Sequence, residues 1–126
     1  MIRYLIDANS VVFAMDVGNE VLTDRISRCA AGDLAISVIS YAEVAYGTHI
    51  GKPPPPEVLE AFIAAIPLIA FDAAAARTYA RLPFRRARFD RLLAAHAISI
   101  GATIITNNVS DFADVPGLQV EDWTTP

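Results

Sequence analysis

The segment FDRLLAAHAISIGATIITNNVSDF, Phe89–Phe112, decides the fold. Leu92, Leu93, Ala97 and Ile100 fall on one face of a helix, which predicts a helix over Phe89–Ile100. Gly101 stops it, because only glycine continues cheaply into the left-handed turn that ends many helices. ATIIT then reads as a short buried strand at the centre of a sheet. The chain turns polar directly afterwards, in TNNVSDF, where Asn107, Asn108 and Asp111 follow the carboxyl end of that strand.

The same alternation runs outward through the rest of the chain. Ile2–Ile6 predicts a buried first strand, Asn9–Met15 a short helix, and Asn19–Ala31 a longer helix closed by Gly32. LAISVIS, from Leu34, predicts a second strand. Ser40 is expected to cap a helix through Ala45 that ends at Gly47. GKPPPPE is a stiff turn before a helix over Glu57–Ala65, PLIAF is a strand, and Asp72 caps an alanine-rich helix through Leu82. LQVEDW is the last strand. Alternating strands and helices predict an α/β fold with a mostly parallel sheet, and the 126 residues suit a single domain spanning 1–126.

Composition narrows the function. The chain is 54% hydrophobic with net charge −4, so an unspecific polyanion-binding surface is not expected. One cysteine, Cys29, forms no internal disulfide framework and suits a reducing cytoplasm. No signal peptide is visible, and the apolar run Ala61–Phe71 is broken by Pro67 and too short for a membrane span. A soluble cytoplasmic protein is therefore expected. Arg77, Arg81, Arg85, Arg86, Arg88 and Arg91 concentrate six of the ten basic residues into one short segment. That is either a solvated helix face or a set of phosphate contacts.

Four acids stand where a parallel sheet binds ligands, at the carboxyl ends of its strands. Asp7 ends the first strand, Glu43 lies on the helix after the second, Asp90 opens the helix before ATIIT, and Asp111 follows that strand. Each also has a purely structural reading. Asp7 caps the next helix, Glu43 completes a capping box with Ser40, Asp90 favours a helix N-terminus, and Asp111 is a turn residue. Their joint placement is what suggests chemistry. Two carboxylates about 4 Å apart repel by roughly 4 kcal/mol at an effective dielectric of about 20, so such a group calls for a cation. All-oxygen donors favour Mg²⁺, or Mn²⁺, over zinc. Ser10 and Thr106 are candidates to support a carboxylate or a metal-bound water. His96, set among alanines, reads as a packed, hydrogen-bonded residue.

The order of these segments resembles the PIN-domain ribonucleases, specifically the VapC-type toxins of toxin–antitoxin pairs. The resemblance runs through YLIDANSVVFAM, SVISYAEVAYG and FDRLLAAHAISIGATIITNNVSDFADVPGLQVEDW. It implies a three-layer α/β/α sandwich and a metal-dependent endoribonuclease whose catalytic, metal-holding acids are Asp7, Glu43, Asp90 and Asp111. Asn108 occupies a position where some members carry an acid, and is expected as a helper. The family further implies an RNA substrate, a cognate antitoxin and a homodimer. By analogy Arg85, Arg86 and Arg88 contact RNA phosphates or the antitoxin. The competing expectation is a non-catalytic module that keeps the scaffold and binds a partner. A phosphoacceptor or haloacid-type domain fits poorly, since DANS lacks a second acid two residues after Asp7.

Overall fold

The computed structural model describes residues 1–15, 19–83 and 88–125. Five strands form one wholly parallel sheet: β1 (Tyr4–Ile6), β2 (Leu34–Ser37), β3 (Leu68–Ile69), β4 (Thr103–Ile105) and β5 (Val120–Glu121), in the order β3-β2-β1-β4-β5. Leu5 sits opposite Ala35 on one side and Ile104 on the other, and Ile6 opposite Ile36 and Ile105. Among the described residues six helices pack on the sheet: α1 (Ala8–Met15), α2 (Glu20–Ser27), α3 (Val38–His49), α4 (Pro56–Ala65), α5 (Ala73–Ala80) and α6 (Arg88–Ile100). A single 3₁₀ turn, η1 (Val109–Phe112), follows β4.

Strand side chains alternate between the two faces, and each face builds its own core. Leu5, Ala35 and Ile104 pack with Leu93, Ala94 and Ala97 of α6 and with Phe112 and Val115 beyond β4. Ile6, Leu34, Ile36 and Ile105 pack with Val11, Leu22, Val44, Leu59 and Trp123. Helices on both faces of a parallel sheet make the expected α/β/α sandwich. The strand order reverses at β1, since the chain leaves it toward β2 and later returns on its other flank as β4. The connections after β1 and β4 therefore diverge to opposite faces and leave a crevice at the carboxyl ends of those two strands.

Several element boundaries differ from the sequence expectation. β2 stops at Ser37, and the β-branched Val38 and Ile39 open α3 instead of extending the strand. Ser37, not Ser40, is the cap: its Oγ accepts the Ile39 amide at 3.0 Å. Ser40 is buried inside the helix, so Glu43 stands in the second turn and has no part in a capping box. Gly47 lies within α3, which runs on to His49. α2 ends at Ser27, short of Gly32. Asp72 caps α5 as expected, accepting the Ala75 amide at 3.0 Å, and Gly101, at φ +69°, turns the chain from α6 into β4.

His96 is a packed residue. It is 1% exposed, its Nδ1 lies 2.7 Å from Ser37 Oγ, and its ring meets Phe71 edge-on. Burial pulls its pKa below the ordinary 6.5, only partly offset by Asp72 and by a hydrogen bond to the Ala70 backbone. The neutral ring thus ties α6 to the end of β2 and to the β3–α5 connection. The native state resists the proton that the unfolded chain accepts, so stability is present above pH 6.5 and is lost as pH falls below it. Urea unfolding should show ΔG falling by up to about 1.4 kcal/mol per pH unit in that window, with a shallower slope in His96→Phe. Parallel slopes would remove His96 as the cause.

Candidate active site

Asp7 is the residue immediately after β1, and the fold holds it twice. Its amide donates to Ile105 O at 2.9 Å, continuing the ladder with β4. Its carboxylate accepts the Ser10 amide at 2.8 Å, capping α1. The structural reading of Asp7 as a cap and its place on the rim are therefore both met by one residue. It is only 8% exposed. Burial raises its pKa; the Thr106 hydroxyl and the Ser10 amide draw it back, and the charge of Asp111 raises it further. Thr106, fully buried after β4, accepts the Asn108 amide on its Oγ1 at 3.0 Å. That leaves its hydroxyl proton for Asp7.

The other acids reach the same crevice from three directions. Glu43 projects from α3, Asp90 from the first turn of α6, and Asp111 from η1. Burial raises the pKa of Glu43, and the charges of Asp90 and then Asp7 add to it. Burial likewise raises Asp90, with Asp111 and Asp7 adding and Arg91 opposing. Glu43 and Asp90 thus each feel two of the other acids and Asp7 feels Asp111, as like charges gathered at one rim must. They share a field without converging on one point. Among the described residues, no three His, Cys, Asp or Glu side chains are close enough to hold a single ion.

Three polar atoms near these acids are buried without a hydrogen-bond partner: Ser10 Oγ, Ser40 Oγ and Asn107 Oδ1. Ser10 and Ser40 each lie one helical turn from an acid, Asp7 and Glu43 respectively. Unpaired buried polar atoms are costly, and here they mark a crevice that suits water and ions. Asn108 is exposed and contributes its backbone amide to Thr106 rather than a side-chain bond.

Arg85 and Arg86 lie outside the described residues; Arg88 opens α6 and its side chain is likewise outside them. Arg77 and Arg81 are exposed. Arg91 is not part of a solvated face. It is 5% exposed and its guanidinium meets Asp114 at 2.6 Å. Sequence reasoning did not single out Asp114, which lies 23 positions away with nothing local to pair the two.

Comparison with known proteins agrees with this architecture. The PIN domain family model matches residues 4–118. The tRNA(fMet)-specific endonuclease VapC of Shigella flexneri is 31% identical over 98% of this chain and 100% of its own length. Ribonuclease VapC2 of Rickettsia felis is 29% identical over 95% of this chain and 97% of its own. The crystal structure of VapBC2 from Rickettsia felis, bound to a DNA fragment from its promoter, superposes with a TM-score of 0.86 at 29% identity. It covers 98% of this chain and 99% of the solved one. With strand order, acid rim and full-length similarity in agreement, the chain belongs to the PIN domain family.

Proposed function

We infer that this protein is an endoribonuclease and the toxin of a toxin–antitoxin pair, and that its activity depends on Mg²⁺ or Mn²⁺. The observation that carries the reading is the crevice between β1 and β4, where burial and neighbouring carboxylates raise the proton affinity of Asp7, Glu43 and Asp90, with Asp111 on the same rim. A cation is the partner such a group lacks. The donor set is all oxygen, and the spread of the carboxylates suits a hard ion bound by one or two of them directly and by the rest through its waters, the habit of Mg²⁺. Such an ion, when bound, supplies a Lewis acid for the phosphoryl oxygens and lowers the pKa of a bound water.

The chain's own residues do the positioning. The Ser10 amide and the Thr106 hydroxyl fix the Asp7 carboxylate, so that one of its oxygens is committed to the α1 cap. Glu43 and Asp90 face it from the helices on the two sides of the sheet, and Asp111 closes the rim from η1. RNA entering this crevice brings phosphates toward four carboxylates, so cleavage and cation binding are coupled. Arg85, Arg86 and Arg88 are proposed to set RNA or antitoxin affinity more than sequence choice. The relatives' names and the solved VapBC pair support a nuclease with a cognate antitoxin; a homodimer is proposed with it. No helix among the described residues is long and apolar enough to cross a membrane.

The test is cleavage of an end-labelled structured-RNA pool by antitoxin-free protein. Attack by water leaves monophosphate ends, and cutting should require Mg²⁺ or Mn²⁺ and stop with EDTA. Cutting in EDTA, or 2′,3′-cyclic phosphate ends, would contradict the reading.

A further inference from the structure

We propose that Arg91 and Asp114 form a clamp that holds the acid on η1 against the acid on α6. Arg91 directly follows Asp90 in α6, and Asp114 lies three residues after Asp111, just past η1. Their 2.6 Å bond therefore joins the two segments at the neighbours of two rim acids.

The clamp answers a force that the site itself creates. Asp90 is partly buried and Asp111 is exposed on the same rim, and the repulsion of their like charges pushes η1 away from α6. η1 is a single 3₁₀ turn, held by short-range amide bonds such as Asp111 N to Asn108 O at 3.0 Å and Ala113 N to Ser110 O at 3.3 Å. Phe112 and Val115 anchor it apolarly against Leu93 and Ala94. These contacts fix the underside of the turn and leave the acid-bearing side to be held by charge. Arg91 is suited to this, because its guanidinium stays ionised and its planar fork is directional. The Arg91 side chain is 6% exposed against 48% for Asp114, so the bond sits at the edge of the core, where solvent screens it less than a surface pair. Arg91 Nη1 is buried with no hydrogen-bond partner among the described residues. A buried cation with a spare donor strengthens the field that keeps nearby carboxylates in place. Arg91 and Asp114 are positioning residues: Arg91 Nη1 is sealed from solvent, and the guanidinium meets Asp114.

The inference rests on the acid rim being the cation site, and its test separates the two. Asp114→Asn removes the charge at a half-exposed position, and Arg91→Met removes the cation with little change in packing. In cation-free protein, hydrogen exchange at the Asp111 and Ala113 amides should quicken about tenfold in both variants. Exchange in the α6 core, at Ala94 and Ala97, should stay close to wild type. In RNA cleavage the Mn²⁺ concentration for half-maximal rate should rise ~10-fold or more, the usual cost of losing a supporting partner of a ligand, with the rate at saturating Mn²⁺ largely recovered. Wild-type exchange at η1, or an unchanged half-saturating Mn²⁺ concentration, overturns the clamp, even if the melting temperature falls. If no variant and no wild type cuts RNA, the nuclease reading fails while the exchange data still decide whether the clamp exists.

Discussion

Asp7→Asn should cut RNA cleavage by at least about 10²–10³-fold, the usual cost of removing one preorganised electrostatic group from an active site, and yet raise the melting temperature of the cation-free protein. The two effects have one cause. Asp7 is buried, and its native pKa lies above its ordinary value because burial and the Asp111 charge oppose ionisation. For an acid shifted in that direction the ionised form costs the native state free energy at every pH above the shifted value, and the cost disappears as the native state takes up the proton. Asparagine removes the charge while keeping an oxygen to accept the Ser10 amide, and asparagine caps helices as well as aspartate does. A gain of about 1 kcal/mol is worth roughly 4 °C in a domain of this size. Calorimetry on cation-free protein checks it. A fall in melting temperature would mean that the Asp7 charge stabilises the fold, against the picture of a repulsive rim.

Trp123→Ala should be the most damaging single change away from the acids. Trp123 is 2% exposed and seals the core formed with α1–α4. Its ring meets Tyr4 edge-on at 4.8 Å, carries the Arg25 guanidinium at 4.7 Å, and donates from Nε1 to Glu121 at 2.9 Å. Truncating a buried tryptophan costs about 3–5 kcal/mol, against a total stability of roughly 5–15 kcal/mol for a domain. The midpoint in urea should fall accordingly, by half or more of its wild-type value in a chain at the lower end of that range. Trp123→Phe keeps the ring contacts and loses the hydrogen bond, so it should cost about 1–2 kcal/mol. Equal losses in the two variants would shift the weight from packing to the Glu121 bond.

The sequence made some of this architecture readable and left other parts hidden, for physical reasons. The α6–β4 stretch was legible because its apolar period, its glycine stop and its β-branched run all agree, and tertiary packing had nothing to override. Asp7 and Asp111 could be placed on the rim because both directly follow or closely trail a core strand. The start of α3 was not legible. Val38 and Ile39 favour a strand locally, but β3 pairs only with Ile36 and Ser37, so the strand has no neighbour beyond that point and Ser37 caps a helix instead. That shift of three residues changed the meaning of Glu43, from a capping-box partner to a side chain free for the crevice. The Arg91–Asp114 bond was invisible for a different reason: only the packing of η1 on α6 brings the two together.

The most direct test of the shared acid site is a Mn²⁺ titration of cation-free protein, followed by its melting temperature, with Glu43→Gln alongside. Binding that favours the native state stabilises by about 2.7 kcal/mol at a hundredfold excess over Kd, so the wild-type transition should climb by roughly 10 °C at saturation. Glu43→Gln should respond only at much higher concentration. A wild-type transition that stays fixed through millimolar Mn²⁺, or a variant that climbs in step with it, would contradict a cation site built from these four acids.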